Sequence, residues 1–225
     1  MHFLDIAGCP GSGKSTLCYP IWGDRSVGWD GKLPPAYWKP FLDEITELMM
    51  LVRDHESFQA VIRMNDRSAK KMATVERMID DRVFIQTGLV QRILGFGWRL
   101  HQMGRDVNLI RRALWLMPVS VGVVFLEADV EVVKERNRQR RNNPATAHED
   151  RSFQIEPMLP AIAVAKEVLR ERGVPVLELD VQHQSIDDAR AELVAFSNCG
   201  PCEPAQMGLG HQEALLRALP PWWRS

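Results

Sequence analysis

Residues 8–16 read Gly8-Cys9-Pro10-Gly11-Ser12-Gly13-Lys14-Ser15-Thr16, and they follow directly on a strand-like run from His2 to Ala7. This is the G-x-x-x-x-G-K-[ST] pattern, placed between a strand and a helix, the context in which it forms a phosphate-binding loop. Glycines let the backbone curl until successive N–H groups point at one centre. The helix that follows adds its partial positive N-terminus to the same spot. Lys14 then reaches the β- and γ-phosphates of a nucleoside triphosphate, and the Ser15 hydroxyl serves as a magnesium ligand.

The rest of the chain alternates strands with helices. Phe3–Ala7, Val83–Gln86, Val121–Leu126 and Val174–Leu179 read as strands buried on both faces, with a fifth near Arg25–Trp29. Phe41, Leu42, Ile45, Leu48, Met49 and Val52 share one face of a helix. Asn65 or Asp66 caps a helix running towards Ile79, and Leu89 to His101 forms another after the turn at Thr87-Gly88. Asp129 caps a further, strongly basic helix. The next begins near Pro157 and stops at Gly173, and Ser185 with Asp188 resembles the capping box of the last. This alternation implies a parallel, doubly wound sheet, in which ligands collect at the carboxyl ends of the strands.

Two segments exceed a minimal domain. Residues 20–40 carry Trp22, Trp29 and Trp38 in an irregular insertion, and the tail from Asn198 to Ser225 ends in Pro-Pro-Trp-Trp-Arg-Ser. These tryptophans either pack over the sheet edge or form a stacking surface for a partner or nucleic acid. The domain is therefore assigned to residues 1–197, with a lid at about 134–152 and the tail 198–225 packing on it.

At 225 residues the chain suits one α/β domain. A net charge of −1 argues against a protein that coats polyanions, though not against a local basic groove. No apolar run approaches the roughly 18 residues of a membrane span. The loop beginning at residue 8 leaves no signal peptide, so a cytoplasmic location (the host cytoplasm for a viral protein) is expected. Cys199-Gly200-Pro201-Cys202 lacks the second pair or histidine cluster of a metal site.

Gln86 stands where phosphate-loop proteins usually place a magnesium-organising aspartate, while Asp80 and Asp81 precede that strand. The metal is then held by Ser15, phosphates and water, or by a carboxylate from Asp5, Asp24, Asp30 or Asp66. Lys134, Arg136, Arg138, Arg140 and Arg141 crowd one helix that leads into a polar loop reaching Arg151. They form either a solvated face or a lid whose arginines stabilise charge spreading over the γ-phosphate oxygens. The lid is the favoured alternative, because Glu135 alone opposes five cations in the eight residues from Lys134 to Arg141. Arg63, Gln86 and Arg92 are candidate acceptor-binding residues, and Asp66 is a candidate base for the acceptor's hydroxyl proton.

With these residues placed, the chain resembles the thymidylate-kinase-like and deoxynucleoside-kinase-like branch of small phosphate-loop kinases over roughly residues 1–197. The loop Gly8–Thr16 carries the resemblance. Gly88-Leu89-Val90-Gln91-Arg92, Val124 to Asp129 leading to the Arg136–Arg141 helix, and Arg172-Gly173-Val174-Pro175-Val176 support it. It implies a P-loop NTPase fold: an α/β three-layer sandwich with a five-stranded parallel sheet and helices on both faces. It also implies ATP with Mg2+ as donor and a nucleoside- or nucleotide-like acceptor. By position, Gly8, Cys9, Pro10, Gly11, Ser12, Gly13, Lys14, Ser15 and Thr16 bind the donor. Arg136, Arg140 and Arg141 are lid residues, Arg141 on the donor and Arg136 and Arg140 with Lys14 in catalysis. Gln86, and the missing Asp-Arg or Glu-Arg pair, depart from the pattern.

Asn65-Asp66-Arg67-Ser68-Ala69-Lys70-Lys71-Met72-Ala73-Thr74-Val75 and Ile85-Gln86-Thr87-Gly88 look like one subgroup, the bacteriophage kinases that phosphorylate 5-hydroxymethyluracil within DNA. A base inside DNA would need an open, basic, aromatic-lined site and extrusion from the stack, for which the tryptophan insertion and Arg105, Arg111 and Arg112 are candidates. The favoured function is a kinase acting on that base during thymidine hypermodification; the alternatives are a kinase for a free deoxynucleoside, deoxynucleotide or other small metabolite, and an ATP-binding regulator that transfers nothing. The sequence sets no oligomeric state, and a dimer is compatible with it.

Overall fold

The strands of the sheet are short, and the one along Gly122–Leu126 is apolar and buried. In the computed structural model, which describes residues 2–17, 39–52, 82–86, 88–117, 122–142 and 151–198 together with 217 and 220, these are β1 (His2–Gly8), β2 (Arg82–Gln86), β3 (Gly122–Glu127) and β4 (Val176–Asp180). All pair in parallel, in the order β2-β1-β3-β4. The register sets Ile6 beside Gln86 and Val124, Gly8 beside Leu126, and Glu127 beside Asp180.

Helical residues from 14 open α1. Then come α2 (Lys39–Val52), α3 (Leu89–Gln102), α4 (Arg111–Leu116), α5 (Val130–Asn142), α6 (Ile155–Glu171) and α7 (Ile186–Asn198). Alternate residues of β1 and β3 feed two separate cores. Ala7, Val123 and Phe125 join α2, α3, α4 and α6, whereas Leu4, Ile6, Val124 and Leu126 meet Leu17, Leu179 and the α7 residues Ala189 and Leu193. The period-two alternation of a strand thus builds three layers, helix, sheet and helix. In α2 the apolar face is as its spacing predicts: Phe41, Ile45, Leu48 and Val52 are buried. Each such burial is worth about 1.5–3 kcal/mol.

The chain leaves β1 for β2 on one side and returns to β3 on the other. The crevice at the carboxyl ends of β1 and β3 is therefore the switch point where α/β sheets bind ligands, and residues 8–16 occupy it.

Four strands lie among the described residues. The expected fifth near Arg25–Trp29, the helix from Asn65 to Ile79, the tryptophans of residues 20–38 and the Cys199–Cys202 pair all fall outside them. β4 begins two residues later than the apolar pattern predicts. Val174 N–H is drawn back to Leu169 O at 2.9 Å in the turn that ends α6, where Gly173 takes φ +72°. α6 begins at Ile155, before Pro157, because a proline in the first turn loses an N–H that has no intrahelical partner. Ser185 and Asp188 do form the expected cap, Asp188 N–H donating to Ser185 Oγ at 3.1 Å. Asp129 instead turns its carboxylate to the Gln182 amide, 2.8 Å away.

α3 and α6 cross closely at a glycine. A Cβ on Gly97 would lie 2.4 Å from the Ala161 Cβ, whereas one on Gly95 would meet nothing within 4 Å. Alanine gains about 1 kcal/mol over glycine inside a helix, but overpacking a buried contact costs about 1–3 kcal/mol. Gly95→Ala should therefore raise the thermal midpoint by about 2–4 °C, and Gly97→Ala should lower it by a comparable or larger amount. Thermal unfolding followed by circular dichroism reads both, and equal shifts of one sign would contradict the crossing.

Candidate active site

The loop of residues 8–16 needs glycine for its backbone angles at Gly11 and Gly13, and at Gly11 for lack of room as well. Gly11 and Gly13 take φ of +88° and +93°, and a Cβ on Gly11 would come within 2.3 Å of Asn137 Nδ2. That amide, on a buried side chain of α5, donates to Pro10 O at 2.8 Å and to Val133 O at 2.9 Å. The basic helix is thereby fastened to the outer curve of the loop. Ser12 N–H closes a turn onto Cys9 O at 3.1 Å, and Leu17 N–H on Gly13 O at 2.9 Å starts α1.

Lys14 folds back over the loop. Its Nζ donates to Gly8 O at 2.7 Å, Cys9 O at 3.0 Å and Ser12 Oγ at 3.4 Å. An ammonium held by carbonyl dipoles above a ring of backbone amides is placed to exchange those partners for phosphate oxygens. Ser15 and Thr16 are exposed beside it, whereas Cys9 is buried, which pushes its thiol pKa up.

Among the described residues three cavities border this loop: one of about 350 Å³ beside Cys9 and Ser12 has Glu127, Asp129, Asp180 and His183 in its lining, and two more meet at the cationic side. One, of about 300 Å³, is lined by Lys14, Ser15, Arg140 and Arg151 along with Pro10, Gly11, Gly13 and Asn137. Its charged lining is wholly cationic. The other, of about 520 Å³, runs from Gly13 and Thr16 past Arg136 and Arg140 to Val181, Gln184 and Ser185, and falls in the size range of small-ligand pockets. Arg140 lines both. A negatively charged tail in the first and a flat, largely apolar group in the second make up the shape and charge of a nucleoside triphosphate. The fit to magnesium is narrower: Ser15 is the one hydroxyl in the cationic cavity, and among the described residues no group of three His, Cys, Asp or Glu could hold a metal ion.

The basic helix divides by partner, which corrects the expectation of an unneutralised face. Lys134 bridges Glu131 at 2.9 Å and Glu156 of α6 at 2.6 Å, and Arg138 pairs with Glu135 at 2.9 Å. Arg136 donates to Val181 O at 3.1 Å, in the loop after β4. Among the described side chains of α5, Arg136 and Arg140 are thus the cations at the cavities. Arg141 lies within α5, next to Arg140 in sequence. The loop after β4 is itself braced: Asp180 accepts from Gln182 N at 2.8 Å and His183 N at 3.0 Å. Its carboxyl pKa is pulled down to about 2, chiefly by the His183 side chain.

Among the candidate metal carboxylates, Asp5 has a different occupation. It is 1 % exposed in β1, and its Oδ2 accepts Val90 N–H of α3 at 2.9 Å. Its Oδ1 has no hydrogen-bond partner among the described residues, although the Gly88 and Leu89 amides also face the carboxylate. Burial raises its pKa to about 7, against the opposing pull of these amides and the Arg92 charge. It lines none of the cavities at the loop. Arg92, in the first turn of α3, stands half-buried within electrostatic reach of it. Gln86 ends β2 opposite Ile6. Arg63, Asp66, Asp24 and Asp30 lie outside the described residues. Arg111 pairs with Glu167 and Arg112 with Glu44 at 2.9 Å, so both tie helices together.

The residue that the motif did not point to is Gln91. Its Oε1 accepts Gly8 N–H at 3.0 Å, from 83 positions away.

No protein-family model matches this sequence, and no curated protein is similar to it at a significant level. The fold is similar to that of solved structures of a deoxyadenosine kinase from M. mycoides. Its complex with dATP has a TM-score of 0.53 at 14% identity, covering 87% of this chain and 98% of that one. Its complex with the products dCMP and dCDP has a TM-score of 0.50 at 12% identity, with the same coverage. At such identities the likeness is one of fold, that of an α/β phosphate-loop kinase with a parallel sheet. Among the described residues no helix is long and apolar enough to cross a membrane.

Proposed function

We propose that this protein is an ATP-dependent kinase that transfers the γ-phosphate to a hydroxyl of a nucleoside-type acceptor. The observation that carries this reading is the cation-lined cavity over a glycine-shaped loop, continuous through Arg140 with a cavity of the size of a nucleoside. The loop amides and Lys14 would hold the β- and γ-phosphates, and the base would lie between Arg136, Thr16 and the Gln184-Ser185 turn. Arg136, Arg140 and Arg141 would act as lid residues, stabilising the charge that spreads over the transferring phosphoryl oxygens. Ser15, with phosphate oxygens and water, would hold a magnesium ion, which neutralises charge on the β- and γ-phosphates when bound.

On the acceptor side we assign Arg63, Gln86 and Arg92 to binding and Asp66 to accepting the hydroxyl proton, as ADP departs and the new phosphate ester forms. The kinase domain would span residues 1–197.

A free deoxynucleoside is the acceptor that the fold likeness supports, because the similar structures are of a deoxyadenosine kinase. The second acceptor, 5-hydroxymethyluracil within DNA, is supported by the residue 65–75 and 85–88 stretches. Incubation with γ-labelled ATP, a panel of free deoxynucleosides and hydroxymethyluracil-containing DNA separates them. Label on a free deoxynucleoside, insensitive to salt, is the expected result. Label confined to DNA, with affinity falling steeply as salt rises, would move the acceptor to the polymer. Nucleotide binding with no transfer to any acceptor would make the protein an ATP-binding regulator and sink the kinase reading.

A further inference from the structure

β1 and α3 hold each other through two bonds that run in opposite directions. Asp5 of β1 accepts Val90 N–H of α3 at 2.9 Å, and the next residue of α3, Gln91, accepts Gly8 N–H of β1 at 3.0 Å. The strand from Asp5 to Gly8 and the turn Val90-Gln91 close a ring whose far corner is the first residue of the phosphate loop. Gly88 lets the two elements meet, since a Cβ there would lie 2.5 Å from the Asp5 carboxylate. The Gln91 amide nitrogen approaches Met158 Sδ of α6 at 3.9 Å, which orients the side chain with its oxygen toward Gly8.

Burying a carboxylate costs free energy that an apolar side chain of like size would not incur. Packing alone therefore does not account for Asp5. What it supplies is a fixed point for the start of α3, and Gln91 supplies one for the start of the loop. Arg92 follows at once, with its charge felt at Asp5.

Resting on the nucleotide-binding reading above, we infer that Asp5 and Gln91 are positioning residues that lock the phosphate loop to the first turn of α3, so that nucleotide at the loop orders the helix start that presents Arg92 to the acceptor. Donor occupancy thereby prepares the acceptor side without a residue that touches both substrates.

Hydrogen exchange read by mass spectrometry tests this, with and without saturating ATP and magnesium. In the native protein, nucleotide should slow exchange both in residues 8–16 and in residues 88–92. Gln91→Met keeps the side-chain volume and removes the acceptor. It should leave the protection of 8–16 in place and reduce that of 88–92 several-fold. Gln91→Glu, which retains an acceptor oxygen, should restore it, and Gln91→Leu provides the same test should the methionine variant be unstable. Protection of 88–92 that persists in Gln91→Met, or that is missing in the native protein while 8–16 is protected, would overturn the inference. Absence of any protection at 8–16 in the native protein would instead overturn nucleotide binding itself, and the two failures are distinct.

Discussion

Lys14→Ala is expected to lower phosphoryl transfer by about 10²–10³-fold, the loss seen when one preorganised electrostatic donor is removed from a transition state, or about 3–4 kcal/mol. The γ-phosphoryl gains charge on its peripheral oxygens during transfer, and the catalytic work is mostly positioning and charge stabilisation. In the structure the ammonium is already held over the loop by Gly8 O, Cys9 O and Ser12 Oγ. Little reorganisation is needed for it to meet phosphate oxygens instead. Lys14→Arg should not rescue activity, since a planar guanidinium cannot replace a compact ammonium within the turn. The thermal midpoint should stay nearly constant, because Lys14 is only half-buried and its hydrogen bonds to Gly8 O, Cys9 O and Ser12 Oγ stay within the loop. Initial rates with labelled ATP, alongside thermal unfolding, decide the matter. A variant that keeps most of its rate would mean that transfer does not occur at this loop.

The second large effect concerns pH. Asp5 is fully buried and its pKa is raised from 3.8 to about 7, mainly by desolvation. In the unfolded chain the carboxyl ionises near its ordinary value. Between about pH 4 and pH 7 the native state therefore retains a proton that the unfolded state has lost. Stability from this group is fully present below pH 3.8, declines as pH rises, and levels off above 7. The displacement corresponds to roughly 4 kcal/mol in all. Asp180, held near 2 by His183, and Glu178, lowered by Lys166 and Arg170, act with the opposite sign: their stabilisation is present above their unfolded pKa and lost on acidification.

The contrast with Asp5→Asn isolates the one group. Denaturant unfolding of both proteins from pH 4 to 8 should give a difference that shifts steadily in favour of the asparagine variant as pH rises. A difference that stays constant over that range would show Asp5 to be ionised throughout.

How much of this was legible beforehand differs from residue to residue. The phosphate loop was, because its chemistry requires glycines, lysine and serine at fixed local spacing. The buried faces of α2 and β3 were too, since periodicities of 3.6 and 2 are properties of single elements. The charge of α5 was misread for the complementary reason. Counting from Lys134 to Arg141 finds Glu135 alone, but Lys134 meets Glu131 one turn back and Glu156 of α6. The partners of Arg111 and Arg112, Glu167 and Glu44, likewise come from other helices.

From the sequence by itself came a strand, a phosphate-binding turn and a helix in series, and a doubly wound order of apolar strands; all are dictated by neighbours a few residues apart. Tertiary structure alone decided that Asp5 fastens α3 and that Gln91, 83 residues beyond Gly8, holds the loop's first amide. A hydrogen bond depends on ångström placement of donor and acceptor, and no local pattern records which distant backbone group will arrive to be satisfied.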